Sequence, residues 1–385
     1  MKKVLSMLLV LTFTMTLLAG CGNNSGSTTE TGGSETNTAG SDSSTEAEAN
    51  AGTDKGELVV GFIYDGEIGD GGYTQAHEEG RQMVEAMDGV RTIYKESVHE
   101  DLAEVEKVCE DFIAEGATVI FGTSFGFMDG MLASAENHPE VIYEHATGYM
   151  VTENFGNYMG KIYQMRYLTG IVAGAQTQTN NIGYVAAFSI PEVVRGINAF
   201  TLGVQAVNPD AVVHVKWTNT WNDPAREKDA AKALIDAGAD VIAQHQNTVG
   251  AQTAAAEAGI YSIGYNKDMS YANPKHLTSP IWNWGIYCVD SVKRIQEGTW
   301  TAAAHWLNAA DGIVDIAPLN DEISDETKTM VEDEKAKIIS GEQKIFVGPI
   351  YNQEGAIAVE DGVELTEADL QAMNWFVKGV EGKIE

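Results

Sequence analysis

From residue 58 onward, short apolar runs alternate with stretches of helical spacing. Leu58-Val59-Val60-Gly61-Phe62-Ile63 reads as a buried strand, residues 73–87 as a helix and 90–94 as a second strand. Between 101 and 115, Leu102, Val105, Val108, Cys109, Phe112 and Ile113 form one helical stripe, which Gly116 stops. Residues 117–121 then predict a third strand, a helix starts near Met128, and 141–143 predict a strand. After a long helix expected over 158–178 the pattern restarts. Strands are expected at 182–186, 212–217, 240–243 and 260–263, with helices over 191–207, from Asp223-Pro224 to Gly238, and up to Ala258.

Two successive β-α-β series predict an α/β protein with two doubly wound parallel-sheet lobes. A weak internal repeat agrees: Gly116-Ala117-Thr118-Val119-Ile120 matches Gly238-Ala239-Asp240-Val241-Ile242, each after a helix closed by Gly. In open α/β sheets ligands bind beyond the carboxyl ends of the strands. In two facing lobes those ends line one cleft.

The first residues have another character. Lys2 and Lys3 precede an apolar run over 4–18, broken only by Ser6, Thr12, Thr14 and Thr16. That run is short of the roughly 20 residues of a membrane span and reads as a signal peptide, residues 1–20. Leu18-Ala19-Gly20-Cys21 closes it and resembles the bacterial lipobox, which implies a lipid on Cys21 and a site outside the cytoplasmic membrane. Residues 21–56 carry almost nothing apolar, so a disordered tether is expected, with a reach on the order of 30 Å. The expected lobes are 57–179, with a returning segment near 284–340, and 180–283, with one near 341–385.

Charge narrows the partners. A formal net charge of −32 disfavours nucleic acid and polyanionic ligands. Cys109 and Cys288 read as buried thiols, and the acidic stretch 321–334 as a solvated helix face. The eight His are dispersed without metal spacing, and no Gly-x-x-x-x-Gly-Lys-Ser/Thr occurs. No catalytic residue, metal or cofactor is expected.

The strand exits carry the candidate chemistry. Asp65 and Tyr73 follow the first strand, and Phe125 the third. Trp221, Gln246 with Asn247, Asp268, and Trp282 with Asn283 follow in the second half. Aromatic faces stack on flat ligands, and amides and carboxylates read a hydrogen-bonding edge. A nucleobase or nucleoside fits; a sugar is the alternative.

Five phrases give the chain a family resemblance: Gly69-Asp70-Gly71-Gly72-Tyr73, Thr123-Ser124-Phe125-Gly126-Phe127, Asn219-Thr220-Trp221-Asn222-Asp223-Pro224, Gly264-Tyr265-Asn266-Lys267-Asp268-Met269 and Leu277-Thr278-Ser279. Together they resemble the basic membrane protein family of substrate-binding lipoproteins of ABC importers. The resemblance implies a type I periplasmic-binding-protein fold, two lobes joined by three crossovers, and a monomer that hands its ligand to a permease. It implies that Tyr73 and Trp221 sandwich a purine and that Asp268 takes the ribose. Where nucleoside binders carry a ribose-binding Lys, this chain has Trp282, which favours a free base such as adenine over a nucleoside. A sensory receptor that presents its bound ligand to a membrane partner is a further alternative.

Overall fold

The computed structural model describes residues 56–384. The expected signal peptide, Cys21 and nearly all of the tether lie outside the described residues. The described residues form one compact unit.

The elements follow the sequence pattern closely. The first half runs β1 (Leu58–Ile63), α1 (Tyr73–Glu85), β2 (Val90–Lys95), α2 (Leu102–Ala114), β3 (Val119–Gly122), α3 (Met128–Asn137), β4 (Ile142–Ala146) and β5 (Phe155–Gly160). The second half opens with α4 (Tyr163–Gln176), then β6 (Asn181–Ala186), α5 (Pro191–Val207), β7 (Val212–Trp217), α6 (Pro224–Asp236), β8 (Val241–His245), α7 (Gly250–Ala258), β9 (Tyr261–Ile263) and β10 (His276–Thr278). The remainder holds β11 (Pro280–Trp282), α8 (Trp284–Glu297), β12 (Ala304–Leu307), β13 (Val314–Ile316), α9 (Asp325–Ser340), β14 (Ile350–Tyr351), β15 (Ile357–Val359), α10 (Glu367–Gln371) and β16 (Val380–Glu381).

Local chemistry sets the boundaries. Asp101 caps α2 by accepting from the amides of Ala103 and Glu104. Asp223 caps α6 through Arg226 N–H, with Pro224 in the first turn. Gly259 and Gly298 end α7 and α8 in the left-handed conformation. The acidic stretch becomes the start of α9, which buries only Val331 and Ile338. Cys109 and Cys288 are free and buried.

Two all-parallel sheets result, ordered β12-β5-β4-β3-β1-β2 and β10-β9-β8-β6-β7-β16. The internal repeat has a structural meaning. Its two copies lead into β3 and β8, and each pairs with the first strand of its own sheet, β1 and β6. Gly116 and Gly238 take matching positive φ angles of 95° and 102°.

One expectation is corrected. The helix expected over 158–178 starts at Tyr163, because Phe155–Gly160 is a strand. β5 lies between β4 and β12 and is buried on both faces. It therefore lacks the alternation that marks a half-exposed strand.

The chain passes between the sheets three times: after β5, between β10 and β12, and after β12. β11 and β13 pair antiparallel at this crossing. Gly160 sits there, where a methyl would meet Trp282 at 2.6 Å and Val314 at 2.7 Å.

Candidate functional site

The phrase Gly69-Asp70-Gly71-Gly72-Tyr73 builds the start of α1. Asp70 accepts the amides of Gly72 at 2.8 Å, Thr74 at 2.9 Å and Gln75 at 3.0 Å. These are helix-start donors that would otherwise lack partners. Gly72 lets the second lobe come close, since a methyl there would lie 1.9 Å from the carbonyl oxygen of Asn247.

Three contacts tie the lobes together on this side. Asn247 donates its side-chain amide to Asp65 at 2.9 Å, Tyr73 N–H donates to the Asn247 carbonyl at 3.4 Å, and Lys267 pairs with Glu79.

Beneath these contacts lies a narrow cavity of about 30 Å³. The first lobe contributes Asp65, Tyr73, Ser124, Phe125 and Thr147; the second contributes Glu192, Trp221, His245, Asn247 and Tyr265, with Trp282 from the crossing. Tyr73 is fixed by its hydroxyl, which donates to the Thr123 carbonyl at 2.5 Å. Its ring stands edge-on to His77, with centroids 4.7 Å apart. Trp221 packs edge-on against Phe188, with centroids 5.4 Å apart. Trp282 stacks on Trp284 at 4.2 Å, and Trp284 stacks on His77 at 4.5 Å. The Trp282 indole N–H donates to the side-chain oxygen of Asn266 at 3.2 Å.

The polar groups are few and mostly engaged. His245 meets Glu192 at 3.3 Å. Burial and the nearby Arg166 guanidinium bring the His245 imidazole down to about 4, so it stays neutral. Burial pushes Glu192 up, but the His245 hydrogen bond and the charges of Arg195 and Arg166 outweigh it, so its pKa is lowered and it is ionised. Arg166 lies under the floor, 3.8 Å over the Tyr265 ring, and donates to the Gln244 carbonyl at 2.7 Å. Asp65 differs. Its Oδ1 is buried and without a partner. Burial, followed by the charges of Glu100 and Asp70, raises its carboxyl to about 7. It is the carboxylate on this wall with capacity for an N–H donor; His245 Nδ1 and the Thr147 hydroxyl are buried there without partners too.

Six of the nine residues expected at the site meet here: Asp65, Tyr73, Phe125, Trp221, Asn247 and Trp282. Three lie outside the wall. Gln246 donates to the Thr218 hydroxyl at 2.7 Å. Asn283 donates to the Gly312 carbonyl at 2.9 Å. Asp268 is 46% exposed, accepts the Ser270 amide at 2.9 Å and lies 3.9 Å from His276. Side chains alternate along extended exits, so His245 and Asn247 face the cavity and Gln246 between them faces away. Sequence reasoning missed Ser124, Thr147, Glu192 and Tyr265. Their types carry no marker of a site, although Ser124 and Tyr265 lie in quoted phrases.

Gly122-Thr123-Ser124-Phe125-Gly126 has the spacing of a hydrolase nucleophile turn. Its chemistry differs. Ser124 is extended at φ −114° and ψ 146°, and its hydroxyl donates to Glu100 at 2.5 Å. His145 bonds the Ser124 carbonyl at 2.7 Å, not its hydroxyl. A nucleophile needs a base on its hydroxyl, and here that partner is an engaged carboxylate.

Comparison with known proteins adds three results. Residues 57–347 match the Bmp family, described as ABC transporter substrate-binding protein PnrA-like. Two relatives cover most of the chain. "Putative ABC transporter glucose-binding protein TsgA13" of Haloferax volcanii is 41% identical over 88% of this chain and 84% of its own. "Purine-binding protein BAB2_0673" of Brucella abortus is 40% identical over 85% and 94%. A solved ABC transporter solute-binding protein from Aeropyrum pernix K1 shares the fold, with a TM-score of 0.66 at 22% identity over 76% of this chain and 94% of that one.

Proposed function

The chain belongs to the Bmp family of PnrA-like ABC transporter substrate-binding proteins, and from that premise we propose that its ligand is a free purine base of the adenine kind. Members of the family are extracytoplasmic solute-binding proteins, not enzymes. In the proposed cycle the two lobes close on the base, exclude water, and present the closed form to a permease. Water exclusion strengthens the remaining polar contacts, and hinge closure around a ligand is a common motion of two-lobed binders.

The observation that carries the reading is one narrow slot that combines Tyr73, Phe125, Trp221 and Trp282 with a single unengaged carboxylate oxygen on Asp65. Aromatic walls suit the faces of a flat heterocycle. A purine edge supplies the N–H that Asp65 accepts. Trp282 and Asn266 support a base over a nucleoside, because they bond each other and fill the crossing. The name of the Brucella abortus relative also favours a purine.

A nucleoside is the second reading, favoured by the "ABC transporter nucleoside-binding protein BmpA" of Lactococcus lactis, 24% identical over 59% of this chain. Glucose is the third, from the name of the Haloferax volcanii relative. A thermal-shift panel of adenine, guanine, hypoxanthine, adenosine, inosine and glucose separates them. A ligand at one hundred times its Kd adds about 2.7 kcal/mol of stability. Adenine should raise the melting temperature most. If only glucose raises it, the purine reading is wrong; if only nucleosides do, the preference for the base is wrong.

Leu18-Ala19-Gly20-Cys21 supports the companion reading that a lipid on Cys21 tethers the protein at the outer face of the cytoplasmic membrane. A single acyl chain binds membranes only marginally, so a firm tether implies more than one.

A further inference from the structure

The ligand slot does not end at Phe125. A second, larger hollow of about 440 Å³ shares three walls with it: Phe125, Thr147 and Glu192. Its other walls come from both lobes. Tyr149 and Met159 belong to the first, Ile190 and Arg195 to the second, and Trp306 stands on β12.

Its position follows from the sheet order. β1 and β2 form one edge of the first sheet, and β5 and β12 the other. The contacts that tie the lobes, Asn247 to Asp65 and Lys267 to Glu79, lie on the β1 side. The hollow lies on the β12 side. A group projecting that way leaves the closing contacts intact.

Thr147 marks the junction. It takes a φ of 65°, and its buried hydroxyl has no partner. A β-branched residue in the left-handed region is a backbone outlier. Such strain concentrates at functional sites.

We infer that this hollow is a subsite for a neutral, largely apolar substituent, preferably aromatic, carried by the purine in the slot. This rests on the purine reading. Phe125 and Tyr149 lie in ring contact at 6.3 Å on one wall. Trp306 presents a ring on another and holds a buried indole N–H without a partner. Met159 and Ile190 add aliphatic surface. A phosphate does not fit: Glu192 is negative, and Arg195 is already engaged. Its guanidinium donates to the Leu370 carbonyl at 2.7 Å and lies 4.9 Å over the Trp306 ring. The subsite therefore selects N-alkyl or N-aryl purines and rejects nucleotides.

Calorimetric titration of the chain with adenine, N6-benzyladenine, 9-benzyladenine and AMP tests this. At least one benzyl purine should bind as tightly as adenine or better, and AMP should bind at least tenfold more weakly. If adenine binds and neither benzyl purine does, the subsite is overturned and the purine reading stands. If no purine binds, the purine reading falls and takes the subsite with it. Met159→Trp, and Ile190→Trp from the opposite lobe, should each lower the affinity ratio of the better benzyl purine to adenine by tenfold or more, with adenine binding reporting the folded state. An unchanged ratio in both variants would overturn the placement.

Discussion

Asn247, at the exit of β8 in the second lobe, donates its side-chain amide to Asp65, at the exit of β1 in the first, at 2.9 Å. The bond closes the ligand slot with one of its own wall residues. It spends one oxygen of Asp65 on closure and leaves Oδ1 for the ligand.

The Asp65 carboxyl gives a pH signature. Burial, Glu100 and Asp70 raise it from 3.8 to about 7. A carboxyl raised on folding contributes stability that is full below about pH 4 and lost as pH rises through about 7. Asp65→Asn keeps an acceptor for Asn247 but removes the titration. The melting temperature of the variant should rise relative to wild type between about pH 5 and pH 8. Glu227, also raised to about 7, and the buried His145, His245 and His276, lowered to about 4, are common to both proteins and cancel in the difference. Scanning calorimetry across that range checks it; a flat difference contradicts it. At about pH 8 the variant should also bind adenine roughly tenfold or more weakly, because a hydrogen bond to a charged group contributes about 1.5–3 kcal/mol.

Gly72 sets how closely the lobes meet. In Gly72→Ala the new methyl would meet the Asn247 carbonyl oxygen, at 1.9 Å. A backbone carbonyl has little freedom to withdraw. The variant should fold, stay open when adenine is added, and bind it at least tenfold more weakly. Small-angle scattering with and without ligand reports closure. A wild-type contraction on adding adenine would show that the approach is not required.

Trp221 supplies one face of the slot. Stacking of a base on an aromatic ring is worth about 1–3 kcal/mol by alanine substitution, so Trp221→Ala should weaken adenine roughly 5- to 150-fold. The ring is only partly buried, so the melting temperature without ligand should change little. Calorimetry gives both quantities, and unchanged affinity would remove Trp221 from the site.

The tether can be tested apart from the ligand. Cys21→Ser in the chain expressed in a Gram-positive host should move the protein from the membrane fraction to the medium. Full retention on the membrane would contradict lipidation at Cys21.

Much of this architecture is written locally. Strands such as Leu58–Ile63 are short apolar runs, Asp101 and Asp223 cap the starts of α2 and α6, and the glycine-closed repeat marks equivalent positions in both sheets. β5 was hidden because a strand buried on both faces has no period to read, and its Gly156, Asn157 and Gly160 are weak strand formers. The site was legible where aromatics mark a strand exit, as at Tyr73 and Trp221. It was not legible at Thr147 or Glu192, which reach the cavity only because β4 and α5 meet across the cleft. Asp268 differs the other way. Its place in a familiar phrase suggested a ligand contact, but its side chain caps a turn, while Tyr265, three residues earlier, lines the slot.

A structure determined after soaking with adenine decides the ligand and its pose. It should show a flat ring held between Tyr73 and Trp221, with a ring or amino N–H on Asp65 and the lobes closed. An empty slot at saturating adenine, or adenine bound elsewhere, would contradict it.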